Sequence, residues 1–552
     1  MRKNGALMPS KKISRQQFIA GGAALAAGVL IGGKLIQVAL HKGIKAPVPG
    51  SIVGANSKAG HLLRGGFNFA EPGETSTIPV AIIGGGISGL SAARRLQQKG
   101  LSNFLLLELG NDTGGNSASG KNEVTEYPWG AHYLPVPDVR MKDMLQFLEE
   151  CGSITGYNSE GLPEYNEFHL CAMPEERLFI HGTWQEGLLP NLGLSNEDHA
   201  QVKRFMALTD TYRNAVGPDG KDLFAIPIDD SSKGKEWAEL DGISFADFLK
   251  QNKFTSPYLL WYLNYCCRDD YGSTLQTTSA WAGLHYFAGR KGNGANAKHQ
   301  DVLTWPEGNK FLVNKLSNSF TPGNVKTGNV VYRVADTTDN KVEICYYNTA
   351  TEKTHRLIAD KVILATPQYV NKKILQVKRA IDYDKFSYTP WVVANITLNK
   401  TPASRGHSLC WDNVFYNSNS LGYVNACHQH LNAFDKRRVF TYYLPLTETE
   451  PRAERMKAYS RTHADWANLI VTDMKNAHVN FEQCLQHIDI WLWGHAMARP
   501  LPGFISGKER AAANQEIDNR LFFAHSDLSG ISIFEEAFYS GIRAADKLLQ
   551  GL

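Results

Sequence analysis

The sequence predicts an α/β protein in which a Rossmann-like, dinucleotide-binding domain is assembled from discontinuous segments and carries an inserted α+β domain. Three observations predict it. Residues 80–90 read VAIIGGGISGL, the apolar run that follows ends on Glu108, and further strand-rich segments recur near residues 327–367 and 520–549. At 552 residues the chain exceeds one ordinary domain, so the long stretches between those segments must form a second body.

Residues 1–40 read as an export signal or N-terminal anchor. Lys11, Lys12 and Arg15 precede a weakly hydrophobic, Ala- and Gly-rich stretch from Phe18 to Gly33, and polar chain follows. SRQQFI, residues 14–19, resembles the twin-arginine motif with Gln16 in place of the second arginine. That route carries folded proteins and suits a chain that loads a cofactor before export. No clean A-x-A site stands near residues 38–46. A helix over Phe18–Gly33 would span only about 24 Å against a hydrocarbon core of roughly 30 Å, a gap that Lys34 to Leu40 could close. The expected location is periplasmic, or on the outer face of a bacterial cytoplasmic membrane through this segment. Residues 1–70 hold ten of the 58 Lys and Arg and none of the 54 Asp and Glu, so the formal +4 belongs to the leader and the rest is acidic by six. Nothing points to nucleic-acid binding, because no basic patch is interleaved with stacking aromatics.

Residues 41–76, with Pro47, Pro49 and several glycines, read as a linker. The first nucleotide-binding segment follows at 77–139. Val80 to Ile83 form a buried parallel strand, Gly84 allows a tight turn, Gly86 leaves room for a pyrophosphate, and Gly89 lets the next helix pack closely. Ile87 and Ser88 open that helix, whose free N–H groups face the phosphates. Ile87, Leu90, Ala93 and Leu96 make its apolar stripe, Arg94, Arg95, Gln97 and Lys99 face water, and Gly100 ends it. Glu108 lies 24 positions after Gly84, near the roughly 20 expected of an acid that holds a ribose hydroxyl.

NDTGGNSAS at 111–119, EYPWGAHYLP from Glu126, ADKVILATP at 359–367 and LFFAHSDLSGISIFEEAFYSGIRAADKLL at 521–549 settle which dinucleotide. Together they resemble the flavin-containing amine oxidase and carotenoid desaturase superfamily of FAD-dependent oxidoreductases. The resemblance implies FAD, with Glu108 on the adenosine ribose, Gly114 and Gly115 as the double glycine, and Asp527 at the ribityl-phosphate. It also implies Gly130, Ala131 and His132 along the flavin ring, Val331 against the adenine, and Ile533 and Phe534 where the last helix points at the flavin. The family usually has an arginine after the double glycine; this chain has Asn116. Apart from the resemblance, Ser532 followed by Glu535 predicts a capping box for the terminal helix. Ala537, Gly541 and Ala545 give that helix a face of small residues that could lie close to a sheet or cofactor.

The cofactor domain is therefore expected over 77–139, 321–384 and 501–552, and the substrate domain over 140–320 and 385–500. The insertions are rich in aromatics: Tyr258, Trp261, Tyr262, Tyr265, Tyr271, Trp281, Tyr286 and Phe287, then Trp391, Trp411, Trp491 and Trp493. Such clusters suit an apolar pocket with a few polar orienters, most of the rings being core. GRKGNGANAK at 289–298 reads as an exposed loop or lid. Eight scattered cysteines, two of them the adjacent Cys266 and Cys267, make no disulfide framework, and ACHQH at 426–430 makes no metal site.

The resemblance implies that FAD takes a hydride equivalent at N5 from an amine or apolar small molecule, with an unassigned electron acceptor. The flavin-side lysine of amine-oxidising relatives has no clear counterpart. Lys310 in TWPEGNKFL is one candidate, although a solvated lysine after a turn is the plainer reading. His495 in WLWGHAMARPLPG is a candidate acid or base, since its ordinary pKa of about 6.5 suits proton transfer near neutrality. No catalytic residue is assigned. An NAD(P)-dependent dehydrogenase would explain the first glycine motif but not the Asp527 segment, and a non-catalytic flavin-bound scaffold or assembly factor would explain every motif.

Overall fold

A computed structural model describes residues 47–551 except residue 433. The leader, with its expected export motif and anchor, lies outside the described residues. Among the described residues no helix is long and apolar enough to cross a membrane.

The nucleotide sheet has seven strands. Glu74–Ile83 lies between Phe104–Leu107 and Lys353–Leu364, both parallel to it, and Val325–Lys326 extends the Phe104–Leu107 edge. Val80, Ala81, Ile82 and Ile83 are buried, as a parallel strand covered on both faces requires. Lys353–Leu364 joins the scattered segments. Its first half pairs antiparallel with Val342–Asn348, which continues into Asn329–Asp336, and its last residues pair parallel with Leu521–Phe523. Sequence-distant stretches meet on one strand, which is why the domain is discontinuous.

The helix Ile87–Gln98 buries Ile87, Leu90, Ala93 and Leu96 as the periodicity demands, and Gly100 follows it with φ of 87°. On its polar face Lys99 meets water as expected, but Arg94 and Arg95 are taken up by acids of other helices. Arg94 bonds Glu150 (Nη2–Oε2 2.6 Å), and Arg95 bonds Asp546 (Nε–Oδ1 2.6 Å) and Asp143 (3.3 Å). The helices Lys142–Glu150 and Phe534–Gln550 supply those acids. The small-residue face of the terminal helix meets this helix rather than a sheet or cofactor. A Cβ on Gly541 would lie 2.1 Å from Ser88 O, and the Ser91 hydroxyl donates to Phe538 O (2.9 Å).

The second sheet has eight strands, in the order Ile52–Gly54, Leu485–Ala498, Tyr388–Leu398, Arg438–Pro445, Gly422–Asn425, Asp412–Phe415, Glu176–Ile180 and Thr183–Glu186. Part of the expected linker is thus a strand, with Ile52 paired to Ile490. Helices Asn196–Arg213, Phe245–Gln251, Pro257–Tyr271 and Ala280–Ala288 pack a separate, aromatic-rich core beside it. The expected boundary at 140 runs through a packed core: Met144, Leu145, Phe147 and Leu148, with Leu303 and Leu312 from the far end of the insertion, join the core of the nucleotide domain. In the second sheet Leu398 pairs with Arg438 and Leu485 at one end, while Tyr388 pairs with Ala498 and Trp391 with Pro445 towards the other.

Candidate flavin and substrate site

The glycine turn has the geometry a pyrophosphate needs. Gly84 has φ of 105°, in the region that disfavours side chains, and a Cβ there would lie 2.5 Å from Ala365 O. On Gly89 a Cβ would lie 1.9 Å from Gly84 O, so this glycine sets the close approach of helix to strand. A Cβ on Gly86 would meet nothing within 4 Å: the space over the helix N-terminus is open. First-turn N–H groups there have no intrahelical partner. Ile87 and Ser88 are buried, so they offer backbone rather than side chain.

Glu108 braces the same turn. Gly85 N donates to Oε2 and Gly110 N to Oε1, each at 2.6 Å, while burial raises its pKa. Asn329 N donates to Glu108 O (2.8 Å), which brings the Val331 strand beside the acid; the Val331 side chain is itself buried. Gly114 N donates to Gly85 O (2.8 Å), and Gly114 and Gly115 have φ of 123° and 56°. The double glycine therefore lies against the first turn. An open cradle, free helix N–H groups and an acid at the strand end fit an adenine dinucleotide.

Lys310 is neither solvated nor near the expected flavin ring. Its Nζ bonds Asp112 Oδ2 (2.5 Å) and Thr113 O (2.8 Å) and clamps the loop that leads into the double glycine. Asn116 Nδ2 donates to Ala496 O, and Ala131 N donates to Asn116 O (2.8 Å). A Cβ on Gly130 would stand 2.2 Å from Asn116 O, so this glycine permits the approach. Asn116 thus ties the 114–117 turn to the 130–132 segment and to the strand Leu485–Ala498.

The C-terminal segment differs from expectation in two ways. The capping box is absent: Phe534–Gln550 begins after Ile533 with no side-chain cap, and the Ser532 hydroxyl instead accepts from Ala498 N (2.8 Å). Asp527 is fully buried, and its Oδ1 has no hydrogen-bond partner among the described residues. Its Oδ2 accepts from the Tyr388 hydroxyl (2.6 Å) and Gln368 N (2.8 Å), and its Oδ1 lies 3.1 Å from His525 Nδ1. Through Oδ2 it ties the start of the helix Gln368–Ile374 to Tyr388 of the second sheet.

Asn116, Gly130, Ala131, His132, Ile533 and Phe534 converge on one wall of a cavity of about 150 Å³. Four of the twelve singled-out aromatics line it: Tyr271, Tyr286, Trp391 and Trp493. Trp493 Nε1 donates to Trp129 O (2.6 Å), whereas the buried Trp391 Nε1 has no partner. The cavity is also lined by Asp269, Asp270, Arg290 and Glu535. Arg290 Nη2 bonds Asp270 (3.0 Å) and the Tyr133 hydroxyl (3.2 Å) and lies over the Tyr286 ring (4.4 Å). Asp269 and Glu535 carry no such partner. Burial, with Asp270 adjacent, pushes Asp269 up, and burial pushes Glu535 up to about 7. Among the described residues no lysine lines the cavity, and burial holds His132 and His285 neutral, each lowered to about 4.

His495 stands outside this cavity. It stacks on Tyr369 (centroids 4.2 Å apart), and burial, then Arg455 and Arg64, lower it to about 3, so it carries no proton near neutrality. Sequence reasoning missed Asp269, Asp270, Arg290 and Glu535. Arg290 lay in the stretch read as an exposed loop, yet that stretch starts buried, with Gly292 against Val136 O. The one available signal was the Asp269–Asp270 pair within an otherwise aromatic helix. Of the ACHQH histidines, His428 Nε2 bonds Ala172 O (2.7 Å) and His430 Nε2 the Thr125 hydroxyl (2.8 Å).

Among solved structures, a putrescine oxidase redesigned at its cofactor site superposes with a TM-score of 0.64 at 14% identity, covering 86% of this chain and 100% of that one. Cyclohexylamine oxidase from Brevibacterium oxydans gives 0.59 at 13% identity, over 86% and 99%. A fatty acid isomerase from P. acnes that produces CLA gives 0.58 at 16%, over 84% and 97%. These likenesses establish a shared fold. A flavin-containing amine oxidase of Oncorhynchus mykiss is 42% identical over 78 residues, a match that spans 14% of either chain. The family model for flavin containing amine oxidoreductase matches residues 87–549, and the chain therefore belongs to that family.

Proposed function

We propose that this FAD-dependent oxidoreductase oxidises an amine, and that the pairing of aromatic walls with unpartnered carboxylates in its cavity sets that substrate class. One observation carries the reading: the cavity holds Asp269 and Glu535 without partners, and its single cationic side chain, Arg290, is already bonded to Asp270. A buried carboxylate without a partner is costly, and a substrate ammonium relieves that cost. Trp391, Trp493 and Tyr286 supply ring faces for the carbon skeleton and its cation. Putrescine oxidase and cyclohexylamine oxidase, which share the fold, are named for amine substrates.

Bound FAD would supply a two-electron acceptor for the hydride equivalent from the carbon next to nitrogen, and an ammonium that has lost one proton would leave as an iminium ion. The residues do the rest. Asp269 and Glu535, raised towards neutrality, can take a proton from the incoming ammonium. Asn116, Gly130 and Ala131 line the side of the cavity that would hold the flavin, and Trp391 and Trp493 would exclude water from it.

The test is the visible spectrum of the purified protein before and after anaerobic addition of monoamines, diamines and an apolar polyene. Bleaching of the flavin bands by an amine, and not by the polyene, is the expected outcome. Bleaching by the polyene alone would overturn the amine assignment, and bands that no compound bleaches would favour the scaffold reading.

A further inference from the structure

The five most exposed large apolar side chains among the described residues are Phe434 and Val479 (both 94% exposed), Leu431 (83%), Phe168 (70%) and Met173 (69%). They are far apart in sequence, yet the strand register gathers them at one end of the eight-stranded sheet. Leu398 pairs with Arg438 and Leu485, so the 426–437 loop ahead of Arg438 and the 478–484 stretch ahead of Leu485 both sit at that end. Glu176 pairs with Asp412, and Asp412 with Val424, which brings the 166–175 loop to the same place. Two hydrogen bonds tie the loops together: Gln429 Nε2 to Phe168 O (3.0 Å), and His428 Nε2 to Ala172 O (2.7 Å).

The described chain also starts there. Ile52–Gly54 runs parallel to Leu485–Ala498, Ile488 N donates to Pro49 O (2.9 Å), and the chain behind Pro47 leads to the apolar stretch Phe18–Gly33. Among the described residues, Lys121, Lys400 and Lys436 flank this end without ion pairs, Glu123 and Asp435 face Arg437, and Glu167 and Glu175 stand unpaired beside Phe168 and Met173, so the charge here is mixed. Five apolar side chains held in water on three segments are unfavourable unless something covers them. Apolar tips gathered at the end where the chain leads back to an apolar stretch are the pattern of interfacial membrane contact.

We propose that this end of the second sheet rests on a lipid bilayer, with Phe168, Met173, Leu431, Phe434 and Val479 entering the interface beside the leader. The loops then orient the enzyme on the surface to which the leader brings it. Tyr388, Ala498 and the helix Pro451–Ser460 point away from the lipid.

The test uses the full chain with Cys171→Ser, since the other seven native cysteines are buried, and a single introduced cysteine carrying an environment-sensitive dye. Phe434→Cys is the probe, and Met456→Cys, 67% exposed at the opposite end, is the control. With vesicles of phosphatidylcholine and phosphatidylglycerol, the dye at 434 should shift to the blue and be quenched by a lipid-borne quencher, while the dye at 456 should not. Leu431→Asp combined with Phe434→Asp should lower vesicle partition about tenfold or more, as expected from two large apolar side chains kept out of the interface. No vesicle response at 434, or an equal one at 456, would overturn the proposal. A blue shift without lipid would also overturn it: one that grows with protein concentration would mean a second copy covers the patch, and one independent of concentration would mean residues 1–46 do.

Discussion

The nucleotide turn and the carboxylate-lined cavity are built in opposite ways. In the turn, backbone does the chemistry: Gly84, Gly86, Gly89 and Glu108 lie within 25 residues of one another, and what matters is where a Cβ is missing. In the cavity, side chains do it. Asp269 and Asp270 come from one helix, Arg290 from the loop after the next, Trp391 and Trp493 from paired strands, and Glu535 from the terminal helix. A local backbone device is tolerant of its surroundings, whereas a convergent one depends on every element that delivers a residue.

The sharpest way to break that contrast is a pair of valines three residues apart. Gly89→Val forces side-chain atoms onto Gly84 O, 1.9 Å from the Cβ position, and should prevent folding to a soluble protein. Gly86→Val places its Cβ in open space with ordinary φ, so it should fold, melt near wild type and contain no flavin. Circular dichroism melting and the visible spectrum decide both, and a yellow Gly86→Val protein would show that the phosphates lie elsewhere.

Next is the cavity. Asp269→Asn should keep the flavin but lower kcat/KM for an amine by about 10²-fold, the range of a proton-transfer group. It should also flatten the rise of kcat/KM with pH, because Asp269 acts on the ammonium only when deprotonated. A variant with unchanged rates across pH would remove Asp269 from the proposal.

A pH effect on stability is smaller. Burial pushes Glu536 up to about 7 from 4.5; Ile228 N donates to its Oε1 (2.6 Å), and its Oε2 has no partner. An acid raised in the folded state keeps its full contribution below the unfolded pKa and loses it as pH rises through the folded value. Denaturant midpoints should therefore fall between about pH 4.5 and 7, by a few kcal/mol at most. Glu536→Gln should flatten that slope, and an unaltered slope in the variant would show that other groups produce it.

The smallest effect is expected at His495. It is neutral and stacked outside the cavity, so His495→Gln should leave kcat and its pH dependence within about twofold of wild type, with a modest loss of melting temperature from the lost ring contact. A large loss of kcat at constant flavin content would restore it as an acid or base.

Legibility followed the same division. The strand, turn, helix and acid of residues 80–108 were readable because each rests on local rules: apolar runs, missing Cβ atoms, a short separation. The converging segments at 116, 130–132 and 533–534 were readable through family resemblance, and the structure brings them to one wall. Arg94 and Arg95 were misjudged because helical periodicity says which face is polar, not what acids another helix will place against it. Ser532 and Glu535 match a capping box in spacing, but the serine hydroxyl bonds a strand reached only in the folded chain. Asp527 was visible as an acid in the right segment; its burial behind Tyr388 was not.

The sequence by itself determined the nucleotide fold, the glycine turn with its acid, and the flavin family, because these depend on short-range backbone geometry and on motifs that keep their spacing. Tertiary structure alone decided which of the many aromatics face the cavity, that Arg290 is spent on Asp270 while Asp269 and Glu535 stay free, and that five apolar tips share one end of a sheet. Those outcomes depend on strand register and helix packing between residues hundreds of positions apart, and no local pattern encodes them.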